Sequence, residues 1–267
     1  MIANFEKNSF KKRLKSMLAV DFRRMFKSPL YYIMVGISFV IPILILVMTK
    51  MMDGSATTNP QTGEVTVMKG FENVWQIIGS TSGAGASMSM DLTSMCNINM
   101  MFFIIAIFVC IFVGDDFRSG YSKNLFTVRA NKADYVISKI VTCFVAGASM
   151  LIAFFVGAMI GGAIAGLPFV LEGATAMNVV ASMLSKIFLV AIFVSIYLLA
   201  SVIAKQKLWL SLILSFGIGM LMFTMVPMIT PLNTGILNFI LCLVGSGIFS
   251  GGIGVGVYYI LKKTSLV

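Results

Sequence analysis

Residues 100–126 read MMFFIIAIFVCIFVGDDFRSGYSKNLF, an apolar run that passes directly into a polar segment. A second apolar run, IVTCFVAGASMLIAFFVGAMIGG, occupies residues 140–162. A helix of about 20 apolar residues is long enough to cross the hydrocarbon core of a bilayer. The polar segment between the two runs is therefore expected outside the bilayer, and the sequence predicts an all-α membrane protein.

The composition of the chain agrees with this class and excludes several others. Of 267 residues, 58% are hydrophobic and 11% are charged, whereas soluble domains carry roughly a quarter charged residues. There is no histidine, and the four cysteines are scattered without the spacing of a metal site. A phosphate-binding loop of the G-x-x-x-x-G-K-[ST] type is absent. We therefore expect no catalysis, no metal and no cofactor in this chain.

Apolar blocks along the chain predict six transmembrane helices after an amphipathic segment. The predicted spans are 31–49, 98–114, 137–165, 179–203, 208–229 and 236–261. The predicted organisation is an interfacial helix over 1–30 and a six-span domain over 31–267, with an outer loop at 50–97 and a polar segment at 115–139. Two prolines in VPMITPLNTG, after the fifth span, suggest a broken or re-entrant helix.

The distribution of lysine and arginine predicts the orientation in the membrane. With a cytoplasmic N-terminus, the inner segments 1–30, 115–139, 204–207 and 262–267 hold 17 of the 20 basic residues. Cytoplasmic loops of membrane proteins carry this excess of positive charge. Both termini are therefore expected in the cytoplasm. Because the basic residues mostly flank the apolar blocks, the net charge of +10 reflects membrane topology, and no nucleic-acid partner is expected. Lys186, near the outer end of the fourth span, is expected to snorkel outward, with contact to an acidic group of a substrate as the alternative.

The segment before the first span has an apolar face and a basic face at helical spacing. Such a helix lies in the membrane interface. It is either an anchor that only sets the topology or a platform that a cytoplasmic partner contacts. Its candidate functional residues are Phe10, Leu14, Phe22, Arg23, Arg24 and Phe26.

Glycines at four-residue spacing occur in the third and sixth predicted spans. The pairs are Gly157 with Gly161 and Gly247 with Gly251. Small residues at this spacing allow two helices to approach closely. We expect them to pack helices within the chain, with a dimer interface as the alternative.

The polar segment resembles the signature of the type-2 ABC permease family, the membrane subunits of ATP-driven exporters. The matching positions are Asp115, Asp116, Phe117, Arg118, Gly120, Asn124, Leu125, Lys132 and Lys139. The segment DFRRMFKSPLYY, residues 21–32, resembles the family's connecting helix. The chain is most similar to permeases that export lantibiotics, bacitracin-type peptides or phenol-soluble modulins. It departs from the family at Tyr121, where threonine is frequent, and at Lys132, where arginine is common.

The resemblance implies a partner and a mechanism. A cytosolic ABC ATP-binding subunit, which binds ATP and Mg²⁺, would dock on the polar segment and on the N-terminal helix. A second permease copy or paralogue would complete the transporter. By this resemblance the membrane would be a bacterial plasma membrane, and the cargo would be an amphipathic or antimicrobial peptide. The residues that the resemblance assigns to docking and coupling are Asp115, Asp116, Phe117, Arg118, Gly120 and Leu125.

Other functions remain open from the sequence. The polar segment could be an amphipathic loop that covers only its own membrane face. A non-transporting sensor or scaffold could pair with the same kind of ATPase. An ion-coupled secondary transporter is disfavoured because such proteins use carboxylates or histidines within their spans.

Overall fold

The computed structural model describes residues 10–58, 65–67, 70–79, 96–128, 132–171, 173–223 and 225–263. The amphipathic segment forms helix α1, Phe10–Lys27, and the first span forms α2, Pro29–Met52. Pro29 begins α2, where its missing N–H costs no hydrogen bond because first-turn amides have no partner within a helix. The expected N-terminal residues 1–9 of the interfacial segment lie outside the described part.

The remaining regular elements of the described residues are helices, apart from one small hairpin in the outer loop. The later helices are α3 Met101–Arg118, α4 Tyr121–Val128, α5 Lys132–Ile164, α6 Ala176–Ala204, α7 Leu208–Phe223, α8 Val226–Ile229 and α9 Ile236–Lys263. Strands β1, Ala56–Thr58, and β2, Val65–Val67, pair antiparallel with Thr57 opposite Thr66. Short 3₁₀ helices occupy Val74–Ile77 and Ile98–Met100.

Five helices of the described chain are long and apolar enough to cross a bilayer: α2, α3 (with the 3₁₀ turn before it), α5, α6 and α9. The fifth predicted span, 208–229, is not one helix. It is α7, which is 16 residues long, followed by the separate short helix α8. Pro227 has no N–H to continue the hydrogen-bond ladder of a helix, which accounts for the interruption. The all-helical membrane class is confirmed, with five long spans and one shorter apolar helix.

The bundle has an inner pair of helices and an outer set. α3 and α6 are the most enclosed, and Phe102 of α3 stacks on Phe193 of α6 with ring centroids 4.3 Å apart. α2 packs along α5, and α9 packs along α6. The outer helices leave large apolar side chains exposed, including Leu44, Leu237 and Ile248. Such exposure suits hydrocarbon surroundings and indicates a multi-pass membrane protein.

The two predicted glycine pairs lie in different surroundings. A Cβ on Gly157 would lie 2.2 Å from the carbonyl oxygen of Phe39, and one on Gly161 would lie 2.7 Å from the Cα of Ile43. These glycines therefore let α5 approach the backbone of α2. A Cβ on Gly247 or Gly251 would meet no atom of the described residues within 4 Å. The predicted packing within the chain is corrected for this second pair, because both glycines lie on an open face of α9.

The outer loop is attached to the bundle at two points. Asp53 follows α2, and its Oδ1 accepts a hydrogen bond from the backbone N–H of Gly70 at 3.0 Å. The 3₁₀ helix Val74–Ile77 packs on α5, where a Cβ on Gly162 would overlap the side chain of Val74. The described residues near Gly70 and Val74 therefore cover one end of the α2–α5 pair.

Candidate coupling site

The turn that follows α3 places the polar segment outside the span. α3 continues through Arg118, so the acidic pair occupies its last turn, and Ser119 donates its backbone N–H to the carbonyl oxygen of Asp115 at 2.9 Å. Gly120 has φ +73° with open space around it. Only glycine adopts this left-handed conformation at little cost, so Gly120 provides the bend from α3 into α4.

Asp115 and Arg118 form the exposed side of this turn. Arg118 Nη2 donates to Asp115 Oδ1 at 2.9 Å, and the two side chains are 68% and 45% exposed respectively. Leu125 of α4 is half-buried against the apolar core. An exposed ion pair of this kind contributes little to folding. Its charged groups are therefore free to meet an external surface.

Asp116 and Phe117 lie on the inner side of the same turn. Asp116 is fully buried, and Phe117 is 4% exposed. The prediction that a partner contacts these two side chains is therefore revised, because residues of this chain already enclose them. Asp115, Arg118 and Leu125 remain as the predicted contacts of the turn, with Gly120 as its bend.

Asp116 is the acceptor for side chains from two other helices. Its Oδ1 lies 2.7 Å from Nη1 of Arg24 in α1, and its Oδ2 lies 2.8 Å from Nζ of Lys139 in α5. The hydroxyl of Tyr135 also donates to Oδ2 at 3.0 Å. The end of α3 is therefore joined by charge to both α1 and α5.

Asp21 of α1 accepts a second set of bonds from α5. Its Oδ1 lies 2.8 Å from Nζ of Lys139, and its Oδ2 accepts from the hydroxyl of Ser138 at 2.6 Å. Arg24 Nη1 is 3.8 Å from Asp21 Oδ1. Lys139 therefore bridges two carboxylates on two helices, and we call Asp21, Arg24, Asp116 and Lys139 the ion network.

The ion network balances two negative charges against two positive ones inside the protein. The guanidinium of Arg24 also lies over the ring of Tyr121, 4.4 Å from its centroid, which brings α4 into the same cluster. Burial opposes the charged form of Arg24, but the attraction of Asp116 and Asp21 outweighs it and raises the pKa of Arg24 above its ordinary value. Removing one member of such a buried set leaves an uncompensated charge, which is strongly unfavourable.

A separate ion pair fixes the first half of α1 to α5. Arg13 Nε donates to Asp134 Oδ2 at 3.1 Å, and Asp134 is 1% exposed. α1 is thus tied to α5 near both of its ends. Within the described residues no group of three His, Cys, Asp or Glu side chains could hold a metal.

The predicted residues of α1 occupy three kinds of position. Phe10, Phe26 and Arg23 are exposed, whereas Leu14 and Phe22 are half-buried. Arg24 was expected on the basic outer face, but its charged end points into the protein toward Asp116. The reason is the buried carboxylate of Asp116, which offers a stronger partner than water.

Sequence reasoning missed Asp21 and the role of Lys139. Asp21 is the only acidic residue of α1, and it is four residues from Met17 and from Met25, which are both buried. A single carboxylate on the apolar face of a basic helix is a signal that it has a buried partner. The partners lie more than a hundred residues away, so no local pattern in the sequence identifies them.

Lys186 was expected to snorkel outward, and the structure contradicts this. The side chain is 1% exposed, and Nζ donates to the carbonyl oxygen and to Oγ1 of Thr230, both at 2.7 Å. No carboxylate of the described residues lies within ion-pair distance of Nζ. The two oxygens of Thr230, which follows the short helix α8, therefore accept the hydrogen bonds of Lys186 that water would otherwise accept.

Comparison with known proteins gives a family but no individual relative. A family model described as an ABC-2 family transporter protein matches residues 17–223. No curated protein and no solved structure matches the chain. The matched region contains all four residues of the ion network and the whole turn from α3 to α4, and the resemblance found in the sequence is confirmed. The chain belongs to the ABC-2 transporter family and is a membrane-spanning permease subunit of an ABC transporter.

Proposed function

We propose that this permease works with a separate ABC ATPase to export an amphipathic or antimicrobial peptide. The proposal also includes cytoplasmic placement of both termini and pairing with a second permease, in a bacterial plasma membrane. ATP and Mg²⁺ belong to the ATPase partner, and this chain supplies no catalytic group.

The observation that carries the proposal is the ion network that joins α1, α3 and α5. An ATPase acts on a permease by moving the cytoplasmic ends of its helices. Lys139 of α5 lies 2.8 Å from carboxylates on both α1 and α3. Displacement of α1 or α3 therefore disturbs α5. The network therefore allows a force applied at the surface to reach the long helix α5.

The docking surface would be the outer side of the α3–α4 turn together with the exposed face of α1. Arg118 and Lys123 are exposed on the turn, the side chain of Asp115 is 45% exposed, and Arg23 and Lys27 are exposed on α1. Charged groups on exposed surfaces steer a partner and fix its orientation. The ion network lies directly beneath this surface, since Asp115 and Asp116 are adjacent in the chain.

The peptide cargo is supported by the resemblance of the polar segment to peptide-exporting permeases and by the apolar character of the bundle. The chain contains 21 methionines, whose flexible side chains adapt to irregular apolar ligands, and 22 phenylalanines, which add apolar surface. An amphipathic peptide presents such a ligand at the membrane interface.

Two measurements test the proposal. The first is purification from the native membrane in mild detergent, where an ABC ATPase is expected in stoichiometric amount. The second is ATP-dependent uptake of labelled peptide into inside-out vesicles that contain the permease and the ATPase. A vesicle sample with an ATPase variant that cannot hydrolyse ATP is the matched control.

The outcomes separate the alternatives. Co-purification with ATP-dependent uptake supports export. Co-purification without uptake of any peptide offered would favour a sensing or scaffolding complex instead. Purification without any nucleotide-binding protein would contradict the proposal as a whole.

A further inference from the structure

An apolar groove runs between α5 and α9 on the outer surface of the bundle. Its volume is about 410 Å³, and Val136, Ile137 and Ile140 of α5 face Gly251, Gly254 and Tyr258 of α9 across it. None of the residues that line it is charged. The groove exists because glycines replace larger side chains on α9, since a Cβ on Gly251 would meet no described atom within 4 Å.

One end of the groove is basic. Lys262 follows Tyr258 by four residues, which places it on the same face of α9 one turn beyond the groove. Lys262 and Lys263 are exposed at the end of α9, and no carboxylate of the described residues lies within 4 Å of either. On the α5 side, Lys132 donates to the carbonyl oxygen of Leu261, next to Lys262.

The shape and charge of this site match one class of ligand. We propose that the groove binds an anionic phospholipid, with an acyl chain between α5 and α9 and the phosphate at Lys262 and Lys263. An apolar channel that opens on exposed lysines at a helix end is complementary to a lipid of this kind. A second permease copy would cover the apolar groove as well, but it would have to place groups of opposite charge at these lysines.

The site is attached to the ion network through α5. Val136 lines the groove and is preceded by Tyr135, which donates to Asp116. Ala133, at the same end of the groove, precedes Asp134, which pairs with Arg13 of α1. A bound lipid would therefore hold the segment of α5 to which α1 is fixed, independently of which cargo the transporter carries.

The test uses the purified full-length chain with phosphatidylglycerol or phosphatidylcholine of identical acyl chains. Native mass spectrometry measures the lipid retained, and thermal unfolding measures the stabilisation. We expect one retained phosphatidylglycerol and a higher Tm than with phosphatidylcholine. Neutralising both lysines, K262Q with K263Q, should weaken phosphatidylglycerol retention about tenfold or more and remove its advantage over phosphatidylcholine.

A pair of glycine variants separates the groove from the open face of α9. Gly251→Leu fills the groove, whereas Gly252→Leu adds the same side chain to an exposed position about 100° around α9, outside the residues that line the groove. Loss of lipid retention in Gly251→Leu alone supports the proposal. Equal retention of the two lipids by the unchanged protein would overturn it, as would retention by Gly251→Leu. A change of oligomeric state in Gly251→Leu with lipid retention intact would assign the groove to a second copy and overturn it too.

Discussion

The ammonium nitrogen of Lys139 lies 2.8 Å from Asp116 Oδ2, and neither side chain is exposed. The same nitrogen is 2.8 Å from Asp21 Oδ1. One cation of α5 therefore neutralises a carboxylate at the end of α3 and another in α1. The position of α1 therefore depends on the turn that follows α3. Within that turn, the buried Asp116 has a different role from its partly exposed neighbour Asp115.

The adjacent acids Asp115 and Asp116 should respond very differently to the same substitution. Asp116→Asn removes one charge of the ion network and leaves Arg24 and Lys139 poorly compensated, so we expect a loss of stability of about 3 kcal/mol or more. Asp115→Asn disrupts only an exposed pair and should cost at most about 1 kcal/mol. Thermal unfolding of both variants in the same detergent compares them directly, and equal losses would contradict the assigned burial.

A double substitution tests whether Asp116 and Lys139 act together. Lys139→Met in the wild-type background leaves two buried carboxylates with one remaining cation, Arg24, and should also be strongly destabilising. Combined with Asp116→Asn it removes a pair, so the two effects should fall short of additivity by about 0.5–3 kcal/mol. Strict additivity in thermal or denaturant unfolding would show that the two residues are energetically independent.

Reversal of charge at Arg118 should affect the ATPase partner and not the fold. Arg118→Glu changes an exposed side chain at the turn, so stability should stay within about 0.5 kcal/mol. Stimulation of the partner's ATPase activity by the permease should fall several-fold, because the docking surface gains repulsive charge. Lys50→Glu is the matched control, since Lys50 and Asp53 form an exposed pair of the same i,i+3 spacing away from the turn. Equal effects of the two reversals on ATPase activity would argue against docking at Arg118.

Glycine at position 157 should be far less replaceable than glycine at position 247. In Gly157→Ala the new Cβ would lie 2.2 Å from the backbone oxygen of Phe39, so α2 and α5 must separate at a cost of about 1–3 kcal/mol. Gly247→Ala meets open space, and the better helix propensity of alanine should leave the protein unchanged or more stable by up to about 1 kcal/mol. Unfolding temperatures of the two variants give the comparison, and a tolerated Gly157→Ala would rule out the close crossing.

Local patterns in the sequence predicted the features that depend on neighbouring residues. Apolar runs predicted the spans, and the alternation of basic and apolar positions predicted α1. The features that sequence reasoning missed depend on partners far along the chain. Asp21 bonds to Ser138 and Lys139, which are more than a hundred residues away, and no periodicity records such a pairing.

Two features within the membrane also depend on residues that local patterns do not predict. They are the position of Lys186 and the interruption of the fifth predicted span. A lysine near the end of an apolar run is expected to reach for water, but the chain returns Thr230 to the same place and supplies two acceptors. The run over 208–229 is apolar enough for one span, yet α7 ends at Phe223 and Pro227 lies in the first turn of the separate helix α8. In both cases the hydropathy of the segment correctly predicted an apolar environment. The position of Thr230 in the first case, and of a proline in the second, determined the local structure.

The attachment of the outer loop at Asp53 should depend on pH. The backbone N–H of Gly70 donates to Asp53 Oδ1 at 3.0 Å, and this bond, together with the nearby charge of Lys50, lowers the pKa of Asp53 despite its slight desolvation. Because the folded-state pKa is below the ordinary value of about 3.9, the contribution to stability is fully present above that value and is lost as pH falls through the folded pKa. Asp53→Asn should therefore lower the Tm at neutral pH, and its difference from the unchanged protein should shrink below about pH 4. Lys50→Gln, which keeps the bond to Gly70, should retain most of the pH dependence. Parallel Tm profiles of Asp53→Asn and the unchanged protein down to about pH 3 would show that this carboxylate does not hold the loop.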